Sequence, residues 1–360
     1  FFGDRDALFG CRTLRSRTLA LLHQLFRRRL SVVDQLLCRY WSGQSRGHQG
    51  IVGLWHNVCM IDKIKKITVF GYLALLAVWL LLVWPSITLF VTGVLALAVL
   101  SAFYLGLLFL LIHYWNRTDP APRATWVELG KAWLREARAA QRVFMWWQPF
   151  RHLSIPDHLT DIDPNKRGVV FIHGFMCNRG FWMPWMRTLQ AQQRAFVSVS
   201  LEPIFGSIDE YPQTVEDAIA KVTAATGQAP TLICHSMGGL AARAWLRSAS
   251  NADERVHRVI TIGTPHSGTQ LSLEVAMFIG KHVNTVQMRR LGEWVTTLAK
   301  TETFERRTKF TCWYANCDNI VAPTSTAKLT DADNRLVTAQ GHVSMAFDER
   351  VMNESLALLN

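Results

Sequence analysis

The hydrophobic pattern of the chain falls into four consecutive zones. In the first, residues 1–66, Leu19, Leu21, Leu22, Leu25 and Phe26 recur at helical spacing with Arg27, Arg28 and Arg29 behind them. That spacing predicts an amphipathic helix, suited either to a membrane surface or to an ordinary soluble fold. The second zone, 67–112, runs for 46 residues without one charged side chain. Pro85-Ser86 divides it, because proline disfavours a helical residue before it. As helices the two halves would rise about 27 Å and about 39 Å. Each suffices to cross a hydrocarbon core about 30 Å thick, the longer one with tilt. Trp84, Tyr114 and Trp115 stand near the ends, where amphipathic rings favour the interface. Two transmembrane helices are therefore expected over 67–115, forming a hairpin. A single long kinked helix is the competing arrangement.

The third zone, 116–166, opens on Asp119-Pro120-Ala121-Pro122, a linker signal. A helix is predicted over 126–144, with Leu129, Trp133, Leu134 and Ala137 on its apolar face. No catalytic motif is visible there. In the fourth zone, 167–360, short apolar runs at 168–172, 194–201, 231–234, 257–262, 310–314 and 335–339 predict strands. Helical patterns lie between some of them, notably 215–226 and 240–248. Such alternation predicts an α/β fold, a parallel sheet covered by helices on both faces.

Charge sharpens this division. The formal net charge is +12, and twelve basic residues against four acids place eight of those charges in 1–66. Basic residues beside an apolar span favour an anionic leaflet over nucleic acid. Lys63, Lys65 and Lys66 precede the paired spans and Arg117 and Arg123 follow them, so both flanks are expected on the cytoplasmic side. This predicts a multi-pass protein of the inner or plasma membrane with its C-terminal domain in the cytoplasm. The seven cysteines are irregularly spaced, which points to reduced thiols rather than a disulfide framework. Residues 1–66 lack the compact apolar core and small-residue cleavage site of a signal peptide.

Candidate chemistry lies in the fourth zone. The run Leu232-Ile233-Cys234-His235-Ser236-Met237-Gly238-Gly239 carries an apolar strand into a serine, and small residues open the next helix. A sharp turn of this kind projects Oγ above a sheet and needs small residues two positions either side. Gly238 meets that need, and Cys234 stands where glycine is usual. Upstream, Val169-Val170-Phe171-Ile172-His173-Gly174-Phe175 is a strand running into a His-Gly turn.

These two motifs resemble the α/β-hydrolase superfamily, near bacterial triacylglycerol lipases and esterases, over roughly the last half of the chain. The resemblance makes Ser236 the nucleophile and assigns the oxyanion-hole N–H groups to Phe175 and Met237. In this fold the acid and the base follow the serine. His342, in Gly341-His342-Val343-Ser344-Met345 after the last strand, matches the base position. His266, in Gly263-Thr264-Pro265-His266-Ser267-Gly268, is the competitor. Asp318, in Cys317-Asp318-Asn319-Ile320-Val321, matches the acid that orients the imidazole. Asp331 and Asp333 are read as solvated turn residues. His173, His235, His266 and Phe278 are the candidate pocket residues. No cofactor or metal is called for.

Between strands, 267–308 is expected to form a lid-like insertion, with Leu271, Val275, Phe278, Ile279 and Val283 suited to an acyl chain. A plain packing helix is the alternative. The resemblance implies a serine hydrolase cleaving carboxylic esters, and the apolar spans imply that it is membrane-anchored, which favours lipid-like esters. An acyltransferase or thioesterase with the same residues and a non-catalytic membrane scaffold remain the other readings. The oligomeric state is not legible.

Overall fold

A computed structural model describes residues 60–272 and 282–360. The amphipathic stretch of the first zone lies outside the described residues, as do Phe278, Val275 and Ile279 of the insertion.

Helix α1 spans Met60–Val83 and α2 spans Ile87–Trp115. The helical register of α1 begins before the uncharged run and takes in Lys63, Lys65 and Lys66. Ser86 caps α2, its hydroxyl accepting from the Leu89 N–H at 3.3 Å. The two helices lie against each other as a hairpin: a Cβ on Gly93 would come within 2.3 Å of the Trp79 indole. Both are long and apolar enough to cross a membrane. Most of their large side chains face outward, with Leu81 78% and Leu82 75% exposed, while Ile61, Phe109 and Ile112 are buried.

A short 3₁₀ turn at Asn116–Thr118 leads to α3, Trp126–Ala140, which continues as a π-helix over Gln141–Arg151. Thr125 and Glu128 form a reciprocal capping box at the start of α3. The buried face of α3 carries Leu129, Ala132 and Glu136, while Leu134, expected on that face, is exposed. The Trp133 indole N–H donates to the Ala102 carbonyl at 3.0 Å and ties α3 to α2.

All six expected strands are present: β1 Val169–Ile172, β2 Phe196–Ser198, β3 Thr231–His235, β4 Arg258–Ile262, β5 Phe310–Ala315 and β6 Asp333–Val337. They form one parallel sheet in the order β2-β1-β3-β4-β5-β6. The last strand begins and ends two residues earlier than its apolar run suggested, which leaves Ala339 in the following loop. Side chains alternate across the sheet. Val170, Ile172, Leu232 and Cys234 enter one core with α5 (Pro212–Thr226) and α6 (Met237–Ser248), while Val169, Phe171 and Ile233 enter the other. The second core is closed by α4 (Met183–Ala191) and the C-terminal helix Glu349–Ala357. Burial on both faces explains why the strands read as continuous apolar runs rather than alternating ones. Because all strands point the same way, the loops after β1, β3, β4, β5 and β6 gather at one edge, where open α/β sheets place their sites.

Candidate active site

Ser236 sits between β3 and α6 with φ 53° and ψ −126°. Such a backbone costs about 1–3 kcal/mol for a non-glycine residue and persists only when its surroundings hold it. Hydrogen bonds to two neighbours do so. The Ser236 N–H donates to the Ile262 carbonyl at 2.9 Å, and the Thr264 hydroxyl donates to the Ser236 carbonyl at 2.8 Å. Gly238 lies so close to β1 that a Cβ would meet the Ile172 carbonyl oxygen at 2.3 Å, and one on Gly239 would meet Thr264 Oγ1 at 2.2 Å. Both glycines are therefore required by the tight approach of α6 to the sheet. Cys234 is fully buried, and burial pushes its thiol well above the ordinary range, so it acts as a small core side chain.

The turn after β1 lies directly against the serine, since a Cβ on Gly174 would be 2.7 Å from Ser236 Cβ. His173 braces this turn from beneath. Its Nε2 accepts the Leu201 N–H at 3.0 Å, which leaves Nδ1 protonated to donate to the Gly174 carbonyl at 2.9 Å. Burial lowers its pKa to about 4, so it stays neutral. Among the described residues, neither the Phe175 N–H nor the Met237 N–H donates to a protein acceptor. Met237 opens α6, where free N–H groups and the helix dipole favour an anion.

His342 and Asp318 are paired. Imidazole Nδ1 lies 2.9 Å and 3.1 Å from the two Asp318 oxygens. Asp318 Oδ1 also accepts the Ile320 and Val321 N–H groups, each at 2.8 Å, so the carboxylate is held before it meets the ring. With Nδ1 donating to Asp318, Nε2 is the nitrogen left to accept a proton. Burial pushes the His342 imidazole down, but the charge and hydrogen bond of Asp318, aided by Glu136, lift it above the ordinary histidine value. The ring centroid of His342 is 4.7 Å from that of His235, the residue before Ser236. Gly263, at the end of β4, adjoins His342, and a Cβ there would be 3.2 Å from its Cε1. Among the described residues the Ser236 hydroxyl makes no hydrogen bond, and the bond between a nucleophile and its base is often long in unliganded sites.

Other expected residues divide. His235 is buried, stacked on Phe181 at 4.3 Å, with Nε2 3.1 Å from the His342 carbonyl oxygen, and so acts as a wedge beneath the base. His173 is likewise buried under the turn with both ring nitrogens engaged, and neither side chain lines an open pocket. His266 does not join the group either. Its Nε2 is 3.0 Å from Thr261 Oγ1, its carbonyl accepts from Arg243 at 2.7 Å, and burial holds its pKa well down. A histidine with its nitrogens turned into the core cannot take a proton from Ser236. Asp331 and Asp333 pair with Arg307 and Arg335. A cavity of about 600 Å³ opens behind the His342 loop rather than over Ser236, lined by Arg135, Arg138, Arg142, Gln340, Ser344 and Phe347 among others.

Two residues that sequence reasoning passed over adjoin His342. Asn319 Oδ1 accepts the His342 N–H at 3.0 Å. Glu136, fully buried on α3, accepts from Val343 N–H at 2.9 Å and Ser344 N–H at 2.8 Å. Asn319 has no spacing signal beyond its place after Asp318. Glu136 had one: it continues the 129–132–136 stripe, so a carboxylate stands where an amphipathic helix normally buries an apolar residue.

Residues 206–319 match the family model described as the PGAP1-like alpha/beta domain. No curated protein matches the chain. Among solved structures, it is similar to the mature lipase BlEst2 of Bacillus licheniformis, at 20% identity and a TM-score of 0.47, over 55% of this chain and 94% of that one. Lipase B of Aspergillus fumigatus is similar at 15% identity and a TM-score of 0.47, over 55% of this chain and 54% of that one. Phospholipase PlaB of Legionella pneumophila is similar at 15% identity and a TM-score of 0.34, over 42% of this chain and 39% of that one. The C-terminal part of the chain is a parallel six-stranded sheet flanked by helices, and its residues 206–319 are similar to the PGAP1-like alpha/beta domain.

Proposed function

We propose that this protein is a membrane-anchored serine hydrolase that cleaves carboxylic esters of lipid character. One arrangement supports this above all: a strained Ser236 at the end of β3, with the free N–H groups of Phe175 and Met237 on the turn after β1 and at the start of α6, and a buried His342–Asp318 pair nearby. Ser236 Oγ attacks the ester carbonyl carbon while its proton passes to His342 Nε2. The carbonyl oxygen becomes an anion and takes the N–H groups of Phe175 and Met237, each contributing about 3 kcal/mol in comparable sites. Asp318 stabilises the imidazolium so formed. His342 then returns the proton to the departing alcohol, and the acyl group remains on Ser236. A water molecule, deprotonated by His342, attacks that acyl-enzyme and releases the acid.

The anchor reading rests on the exposed apolar surface of α1 and α2. Such a continuous surface is unfavourable in water and is satisfied in a bilayer. Basic residues at both ends of the hairpin support a cytoplasmic position for those ends and for the hydrolase domain with them. Anchoring holds the serine near esters already concentrated in lipid. The test is a fluorophosphonate probe on the full-length protein in detergent, followed by a panel of short- and long-chain esters and phospholipids. Wild type should be labelled and active, and Ser236→Ala neither. Labelling that survives Ser236→Ala would overturn the assignment. Adding an alcohol acceptor separates hydrolysis from acyl transfer.

A further inference from the structure

Glu136 lies outside the α/β-hydrolase sheet, on the helix that follows the apolar hairpin, yet it touches the loop that carries His342. Both its oxygens point at that loop. Val343 N–H is 2.9 Å from Oε1 and 3.0 Å from Oε2, and Ser344 N–H is 2.8 Å from Oε2. Gly341 makes room for it, because a Cβ there would sit 2.6 Å from Glu136 Oε2. Arg135, one residue earlier, donates to the Ala339 carbonyl at 3.0 Å and pins the other end of the same loop.

We infer that Glu136 is a positioning residue for His342, fixing its loop through two backbone N–H groups and setting a second negative charge beside the imidazole. The inference rests on the serine-hydrolase reading above. A buried carboxylate is costly to desolvate, and packing alone would be served by an apolar residue or a neutral amide. Asn319, for instance, holds the His342 N–H with a neutral oxygen. All the partners of Glu136 are donors, which suits the ionised carboxylate and leaves no acceptor for a carboxyl proton. Burial raises its pKa and the nearby Asp318 adds to that, while the backbone N–H groups and His342 oppose the rise without cancelling it. The charge acquires a use when His342 takes the serine proton. Asp318 from the loop after β5, Glu136 from α3 and His235 from the end of β3 then face the ring. The two carboxylates favour the imidazolium, and His235 stays neutral because burial and the neighbouring His342 hold its pKa far down.

The test uses the full-length protein in detergent, with hydrolysis of a short-chain p-nitrophenyl ester followed across pH. Circular-dichroism melting checks that each variant folds. In Glu136→Gln, kcat should fall about 10- to 100-fold with KM little changed, as expected for a base held slightly out of place. The sign of the pH effect follows from the base role: His342 works when neutral, so losing a neighbouring negative charge lowers its pKa. The acid limb of the profile therefore moves to lower pH. Glu136→Asp keeps the charge but retracts the oxygens, so its rate should fall while its acid limb stays near that of wild type. A wild-type rate in Glu136→Gln, or a slower rate with an unmoved limb, would overturn the inference. If Glu136→Gln does not fold, an unimpaired Glu136→Asp overturns it. A wild type that neither hydrolyses esters nor takes the probe at Ser236 defeats the underlying function instead, a failure visible before any Glu136 variant is made.

Discussion

The two halves of the candidate site are built in different ways. The nucleophile half is local: residues 232–239 form strand, elbow and helix in one run, and the backbones of β1 and β4 hold Ser236 in its strained conformation. The base half is assembled from afar. Asp318 and His342 stand on loops after β5 and β6, and the segment after the apolar hairpin staples both. Asn116 exchanges two hydrogen bonds with Thr324, at 2.9 Å and 3.0 Å. Asp119 holds the Ser325 hydroxyl at 2.6 Å, Arg135 holds Ala339, and Glu136 holds Val343 and Ser344. The serine is thus positioned by the packing of its own sheet, whereas its partners are positioned by polar contacts with the helices that emerge from the apolar hairpin. The segment after the apolar hairpin is thus tied to both loops of the candidate site.

The sharpest way to break that contrast is at the base. His342→Ala should lower ester turnover about a million-fold, or roughly 8 kcal/mol, as removal of a base does in triads of this kind. His266→Ala should lower it far less, because His266 serves the core. Steady-state kinetics with both variants would decide, and the opposite ranking would sink the base assignment. Asp318→Asn comes next. It removes the charge but keeps the shape, and a loss of about 10⁴-fold in kcat is expected from the wrong imidazole tautomer.

The nucleophile half can be tested through stability. Arg243, on the helix behind Ser236, makes a fully buried bidentate pair with Glu302 at 2.6 Å and 3.0 Å. Breaking a buried pair by removing one partner leaves an uncompensated charge, so Glu302→Ala should destabilise the protein by about 3–5 kcal/mol in a denaturant titration. An unchanged midpoint would show that the pair contributes nothing to the support behind the elbow. The smallest effect is expected at the staple itself. Asn116→Ala strands the Thr324 N–H and should cost about 1–3 kcal/mol, with the region around Asp318 exchanging its amide hydrogens faster. Hydrogen exchange that is unaltered there would mean that the hairpin and the acid loop are not coupled.

Much of the fold was legible. The six strands announced themselves as apolar runs because both faces of the sheet are covered, and the elbow because its steric demands fall within eight residues. The start of β6 was less legible, since Asp333 and Asn334 pair in the sheet without being apolar. Leu134 was misplaced on its helix because a hydrophobic residue at near-helical spacing need not be buried. His266 and His342 are both histidines in glycine-bearing loops after strands; position after the last strand favours His342 in the sequence, and in the structure the two rings face different partners. The insertion after β4 falls partly outside the described residues, so the expected lid with Phe278 stays a matter of sequence.

What the sequence determined by itself is whatever depends on short-range spacing: two long apolar helices, alternating strands and helices, and a serine at a turn that only small residues permit. What tertiary structure decided is the company His342 keeps. The Glu136–Val343 bond joins positions 207 residues apart, and no local periodicity encodes such a contact. Its only trace in the sequence is a carboxylate on the buried stripe of an amphipathic helix. A buried charge is costly enough to need a partner, and the partner becomes visible only when the chain is folded.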